Sequence, residues 1–281
     1  MSYPVIISAD AYQLSVLPEW GGRISSLHHG TAGDLLVPIS LEQPFQPDTW
    51  PKAGAYPLIP YHGRIRGAQF YWQAEPVHLL PHPDGSGHSL HGPAHKRPWQ
   101  IVEHTADSLQ LHCSYAADVD WPWDFEATQC ISLSSQGLRV TLILRNTSLK
   151  PMPAGLGWHP YLIKANRIEH DARRHWPYHK QDLLPTGMVE AETPPVSGCT
   201  TFLSDWQKVQ IQLTTGSTVH LSADSLLDHL VIHDDPATYT CIEPVSHVAG
   251  ALSLAPNSMF GLRQLGANQT LSGSLQIGVD P

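Results

Sequence analysis

Apolar and polar side chains alternate one by one along several stretches of the chain. "YPVIISA" (3–9), "YQLSVLP" (12–18), "LQLHCSY" (109–115) and "FEATQCISLS" (125–134) follow this rule. So do "LRVTLILRNT" (138–147), "VQIQLTT" (209–215) and "GSLQIGV" (273–279). A period of two places one set of side chains on each face of a strand. Clusters of turn residues separate the runs: "GTAGD", "PDGSG", "SSQG" and "TTGS". "SQGL" between two long alternating runs predicts a hairpin. No helical periodicity of any length intervenes. "ADSLLDHL" (223–230) is expected to make at most one short turn. The pattern predicts an all-β fold, a large antiparallel β-sandwich with few short helices.

No composition break divides the 281 residues, so residues 1–281 are expected to form a single domain. Segment 166–200 is polar, with prolines at 177, 185, 194 and 195. It reads as a long excursion from the sheet. The 25 prolines and 21 glycines fit a turn-rich chain.

Charge narrows the partners. The formal net charge is -9 and no Lys/Arg-rich block occurs. Nucleic acid and anionic membranes are therefore not expected as partners. The four cysteines form no CxxC pair, which suggests free thiols in a reducing compartment. "MSYPVIISADAY" lacks the features of a signal peptide, and no apolar run is long enough to span a bilayer. A cytoplasmic location is expected, as monomer or homodimer.

Four stretches could carry chemistry. "GWHPYLI" (157–163) holds His159 before a proline, which biases it to extended backbone. Trp158 and Tyr161 could wall in this imidazole, and a ring of near-neutral pKa suits general acid or base work. A histidine merely packed among aromatics is the plainer reading. "TCIEPVSH" (240–247) puts Cys241 and Glu243 on one face of a strand. An inward carboxylate is costly unless paired or functional, and His247 is one possible partner. Cys241 beside that anion would be a poor thiolate. In "YHGRIRGAQF" (61–70) Arg64 and Arg66 share a face if the chain is extended. One could enter a cleft as a multi-donor fork, with Arg66 better read as solvated. "GHSLHGPAHKRPW" (87–99) holds His88, His91 and His95. Their spacing would suit a metal on a helix, but the glycines and prolines forbid one. A polar loop or a sugar-binding loop fits better, with His91 held by the turn at Gly92.

Six landmarks in order are similar to a known family. They are "GGRISSL" (21–27), "PLIPYHGRIRGAQF" (57–70), "HSLHG" (88–92), "GWHPYL" (157–162), "LLPTG" (183–187) and "CIEPVSH" (241–247). Together they resemble the aldose 1-epimerases, or galactose mutarotases. The resemblance implies the family's large antiparallel β-sandwich, with an active site in a cleft on its concave face. It implies Glu243 as catalytic base, His159 as catalytic acid and His91 as a second active-site histidine. It implies Arg64 as the arginine that holds sugar hydroxyls, and loosely Asp228 as a further hydroxyl ligand. Trp158, Trp99 or Trp123 is expected to offer a ring to the sugar's C–H face. The family often has Asn before Arg64; here it is Gly63.

The implied reaction interconverts the α and β anomers of a free aldohexose. Base and acid are expected on opposite sides of the C1–O5 unit, with no metal and no cofactor. A carbohydrate-binding or regulatory protein without turnover is one alternative. An epimerase of a modified sugar, such as a hexose phosphate, is another. It would need extra cations at the cleft mouth, for which "ARRH" (172–175) and "HKRP" (95–98) are the candidates. A zinc hydrolase using His88, His91 and His95 is a third.

Overall fold

The computed structural model describes residues 3–42, 44–181, 184–187, 189–191, 198–254 and 260–280. The alternating runs form strands as the sequence predicts. Eight of them make one antiparallel sheet, in the order Gln100–His104, Ser108–Tyr115, Phe125–Ser134, Gly137–Asn146, Thr270–Val279, Thr218–Ala223, Lys208–Leu213 and Ala165–His170. The hairpin at "SQGL" is present, with Ser134 facing Gly137. Its register stacks Leu133 on Leu138 and Ile131 on Val140. All four are buried, because a one-residue alternation and an even register keep every apolar side chain on one face.

The second sheet has ten strands. Nine run in the order Val5–Ala9, Tyr12–Leu17, Arg23–His29, Ala55–Leu58, Gly157–Ile163, Tyr239–Val245, His229–Asp234, Thr200–Ser204 and Arg174–His175; Gly33–Asp34 pairs with Arg23–His29. Its three middle strands are buried on both faces, and they read as nearly unbroken apolar runs for that reason. One apolar cluster, from Ile7 to Ile277, takes side chains from both sheets. Gln129 crosses between them and donates from Nε2 to the Gly22 carbonyl at 2.8 Å.

The helical pieces described are short 3₁₀ turns of three or four residues. "ADSLLDHL" makes a turn at Asp224, whose carboxylate accepts from the Leu226 N–H at 3.1 Å. Segment 166–200 departs from expectation at its start, where Ala165–His170 is a strand of the eight-stranded sheet and Arg174–His175 joins the ten-stranded one. Beyond these, Tyr178–His179 and Leu184–Pro185 leave both sheets and pair with each other. Leu183, Pro194 and Pro195 lie outside the described residues. No helix among the described residues is long and apolar enough to cross a membrane. The four cysteines are free thiols: Cys113 and Cys241 buried, Cys130 partly so, Cys199 exposed.

Candidate active site

Strand register brings His159 and Glu243 together. Gly157 pairs with Val245 and Tyr161 with Cys241, which sets His159 opposite Glu243 across the ladder. His159 Nε2 lies 3.4 Å from Glu243 Oε1, and both side chains are buried. They belong to a pocket of about 170 Å³ that also takes in His91 and Arg64. A cavity of roughly 150 Å³ holds one benzene-sized ring, so this one suits a single sugar ring.

Burial sets the protonation of the pair. It pushes the Glu243 carboxyl up to about 8. It pushes His159 well below its ordinary value, and the nearby charge of Lys52 adds to this. The expectation of a near-neutral imidazole is thus not met; the carboxyl is the group that titrates near neutrality. Both shifts favour a shared proton resting on Glu243 rather than on His159. The two groups stand side by side in the pocket.

Aromatic packing fixes the His159 ring. It lies near-parallel to Tyr56 and to Tyr161, with ring centroids 4.8 Å apart in each case. Trp50 Nε1 donates to the Tyr161 hydroxyl at 3.2 Å. Beyond Tyr56 lies Arg23, fully buried, its guanidinium 4.1 Å from the Tyr56 ring centroid. Arg23 Nη2 donates to His95 Nδ1 at 3.2 Å. Among the described residues no carboxylate pairs with Arg23. Desolvation lowers it to about 10, so it keeps its charge at neutral pH and opposes protonation of His159.

His91 is held by backbone. Its Nδ1 accepts from the Gly63 N–H at 3.1 Å, and its own N–H donates to the Gly63 carbonyl at 2.9 Å. A ring nitrogen that accepts carries no proton, so the neutral ring bears its proton on Nε2. Burial keeps this ring neutral, its pKa well below the ordinary value. The turn needs glycine on both sides. Gly63 has φ +69°, and a Cβ on Gly92 would stand 2.1 Å from the Ile59 carbonyl oxygen. His91 thus enters the pocket as a hydrogen-bond donor beside His159, its ring at right angles to it.

Several sequence expectations place differently. Trp158 is fully buried and faces the core, away from the pocket. Adjacent residues on a strand point to opposite faces, so Trp158 cannot share a side with His159. Asp228 is not part of the pocket lining. It precedes strand His229–Asp234, its side chain half exposed, with Oδ1 3.5 Å from His229 Nε2. That strand sends Val231 and His233 to the pocket instead. Trp99 is buried with Nε1 donating to the Ala94 carbonyl, and Trp123 packs on Phe70 and Trp121. Trp50 is the tryptophan of the pocket. Arg66 is exposed, as the plainer reading had it. His88 accepts from the Gly67 N–H and His95 pairs with Arg23, so the three loop histidines do not converge. Glu243 meets His159 rather than His247, which accepts from the His62 N–H and donates to the Val248 carbonyl.

Cys241 shares the Glu243 face as expected. Its thiol is pushed well above its ordinary value, first by burial and then by Glu243. Among the described residues, His159, Cys241 and Glu243 form the group whose ligand atoms are close enough to hold a metal ion, within 4.8 Å of one another. A thiol that resists ionisation is a weak member of such a set. Sequence reasoning missed Trp50, Lys52, His62 and His233. His62 lies within the landmark at 57–70 but was passed over, and Lys52 and Trp50 lie just upstream of the "YPLIP" strand.

Comparison with known proteins bears on the family and the fold. The model of the Aldose 1-epimerase family matches residues 5–256. The uncharacterized Escherichia coli protein YphB is 34% identical over 126 residues, 44% of this chain and 42% of YphB. A second uncharacterized Escherichia coli protein, YihR, is 31% identical over 121 residues, 42% of this chain and 39% of YihR. These alignments span less than half the length of either relative. A galactose mutarotase-like protein from Clostridium acetobutylicum superposes with a TM-score of 0.86 at 18% identity, covering 99% of this chain and 95% of that one. The GalM/aldose epimerase homologue from C. elegans gives 0.82 at 14% identity, covering all of both chains. At those identities the likeness shows a shared fold. With the family model spanning nearly the whole length, this chain belongs to the aldose 1-epimerase family.

Proposed function

We propose that this protein interconverts the α and β anomers of an aldose with a free anomeric hydroxyl, a hexose in the first instance. The observation that carries this is the buried His159–Glu243 contact at 3.4 Å in a sugar-sized pocket. Anomerisation moves one proton off the C1 hydroxyl and one onto O5. A pair that holds a single proton between two neighbouring groups supplies both movements.

A hydrogen bond from the C1 hydroxyl favours the ionised form of Glu243 and sends its proton across to His159. Glu243 then takes the C1 proton, and the O–H electrons form the aldehyde. The C1–O5 bond breaks and O5 takes the proton from His159. Rotation about C1–C2 and the reverse transfers close the other anomer. Nε2–H of His91 offers a hydrogen bond to an oxygen at the reacting end. Two proton transfers suffice, with no metal or cofactor.

Polarimetry of freshly dissolved α-D-glucose and α-D-galactose tests the reading. Acceleration by the wild type is expected, with kcat lowered about a thousandfold in Glu243→Gln and in His159→Ala. Activity is expected to survive a chelator. The kcat/KM should fall as pH rises through about 8, where Glu243 loses the pair's proton. Rates at the spontaneous level for every sugar tried, acidic ones included, would refute it.

A further inference from the structure

We infer that the aldose taken by this pocket carries an acidic group away from C1, held by Lys52 and Arg64; this rests on the function proposed above. The charged residues that line the pocket are Lys52, Arg64 and Glu243. Among the described residues no aspartate, asparagine or glutamine lines it. The chain as a whole is acidic, at -9, so two cations around one buried carboxyl reverse the local sign.

The hydrogen-bond inventory points the same way. A neutral sugar hydroxyl both donates and accepts, and a site for it needs acceptors as well as donors. Acceptors are present in the hydroxyls of Tyr161, Thr200 and Tyr239 and in the Glu243 carboxyl, but the ammonium of Lys52 and the guanidinium of Arg64 only donate, and His91 donates from Nε2. Gly63, beside Arg64 in the lining, has no side chain to accept a bond. Acceptor-only oxygens, those of a phosphate ester or a carboxylate, match the two cations better than additional hydroxyls do.

The two cations differ in how far they are engaged, Lys52 standing free of an ion pair among the described residues and Arg64 in a long one with Asp84. Among the described residues no carboxylate stands within ion-pair distance of Lys52, whose Nζ lies 4.8 Å from the Trp50 ring centroid. Arg64 Nη2 reaches Asp84 only at 3.6 Å. Of the basic residues that the sequence offered for this purpose, three are engaged elsewhere. Arg174 pairs with Asp205, Lys96 with Asp48, and Arg97 with Asp118 and Asp120. Lys52 is opposed by the positive charge of Arg23 and Arg64, a repulsion that a bound anion would relieve.

Anomer exchange by NMR provides the test, with D-glucose, D-galactose, D-glucuronate and D-glucose 6-phosphate as substrates. The expected result is a kcat/KM at least tenfold higher for an acidic sugar than for D-glucose, carried mainly by KM. Glucuronate alone would assign a carboxylate, and the 6-phosphate alone a phosphate ester. Added salt should raise KM for the acidic sugar and leave the neutral ones unmoved. Lys52→Met should bring the preference close to one, and Lys52→Arg should keep most of it. Neutral hexoses turned over as well as acidic ones would overturn the inference and leave the proposed activity standing. A preference that ignores both salt and Lys52→Met would overturn it too. No turnover of any sugar would overturn the activity itself, and the inference with it.

Discussion

Phe125–Ser134 and Gly157–Ile163 are both interior strands of their sheets, yet they bury side chains by different rules. The first alternates strictly, with Phe125, Ala127, Gln129, Ile131 and Leu133 inward and their neighbours partly exposed. The second is buried on both faces over six of its seven residues. One face gives Trp158 and Leu162 to the core, and the other gives His159 and Tyr161 to the pocket. The eight-stranded sheet thus has one face committed to packing. The middle of the ten-stranded sheet has two committed faces, and on one of them it buries ionisable groups. Removing a side chain from the first should cost stability and spare chemistry. Removing one from the second should do the reverse.

Three changes would break or sharpen this contrast. Leu142→Ala removes a fully buried side chain of the eight-stranded sheet. About 3 kcal/mol of stability should be lost in urea denaturation, with kcat unchanged in the folded fraction. A large drop in kcat at constant fold would show that the two sheets are coupled.

Glu243→Gln should act in the opposite sense on stability. Unfolded, this carboxyl ionises near its ordinary 4.5; folded, it keeps its proton up to about 8. The folded state therefore binds the extra proton, and its stability falls as pH rises between those values. Glutamine has no charge to suppress. The variant should gain about 3.5 kcal/mol over wild type at pH 8 relative to the comparison at pH 5. An identical difference at both pH values would mean that Glu243 is not held protonated by the fold.

Tyr56 gives the smallest and most specific effect. Its hydroxyl is buried without a partner, while its ring lies on His159. Tyr56→Phe should keep kcat and hold or raise the melting temperature. Tyr56→Leu should lower kcat about tenfold with little change in KM, because the imidazole loses a positioning surface. Equal kcat in the two variants would remove Tyr56 from any positioning role.

The same contrast explains what was legible in the sequence. The alternating runs gave strands at nearly their observed limits, since one buried face writes a period of two into the chain. The middle strands of the second sheet carry no such period. Their residues were legible only through local oddities, such as Glu243 after an apolar pair or His159 before a proline. Trp158 was misplaced although the needed signal was present. It is in phase with Pro160 and Leu162, and His159 is in phase with Tyr161. Asp228 was placed by a loose likeness, and the turn before its strand leaves it half exposed. Lys52 and Trp50 were not visible at all. They precede a strand by a few residues, and only the pairing of that strand with Gly157–Ile163 brings them to Glu243.

The order of that sheet has a consequence for how the protein comes to be folded. Ala55–Leu58, Gly157–Ile163 and Tyr239–Val245 are neighbours in space but lie some hundred and eighty positions apart from first to last. Closing such long loops is slow, and no contact of the site rewards the chain before they close. Hairpins such as Phe125–Ser134 with Gly137–Asn146 involve partners only a turn apart and are free to form early. Nascent chains should therefore acquire resistance to proteolysis around residues 108–146 first. Sugar binding should appear last, after residue 243 has left the ribosome, as a late and all-or-none property of the chain.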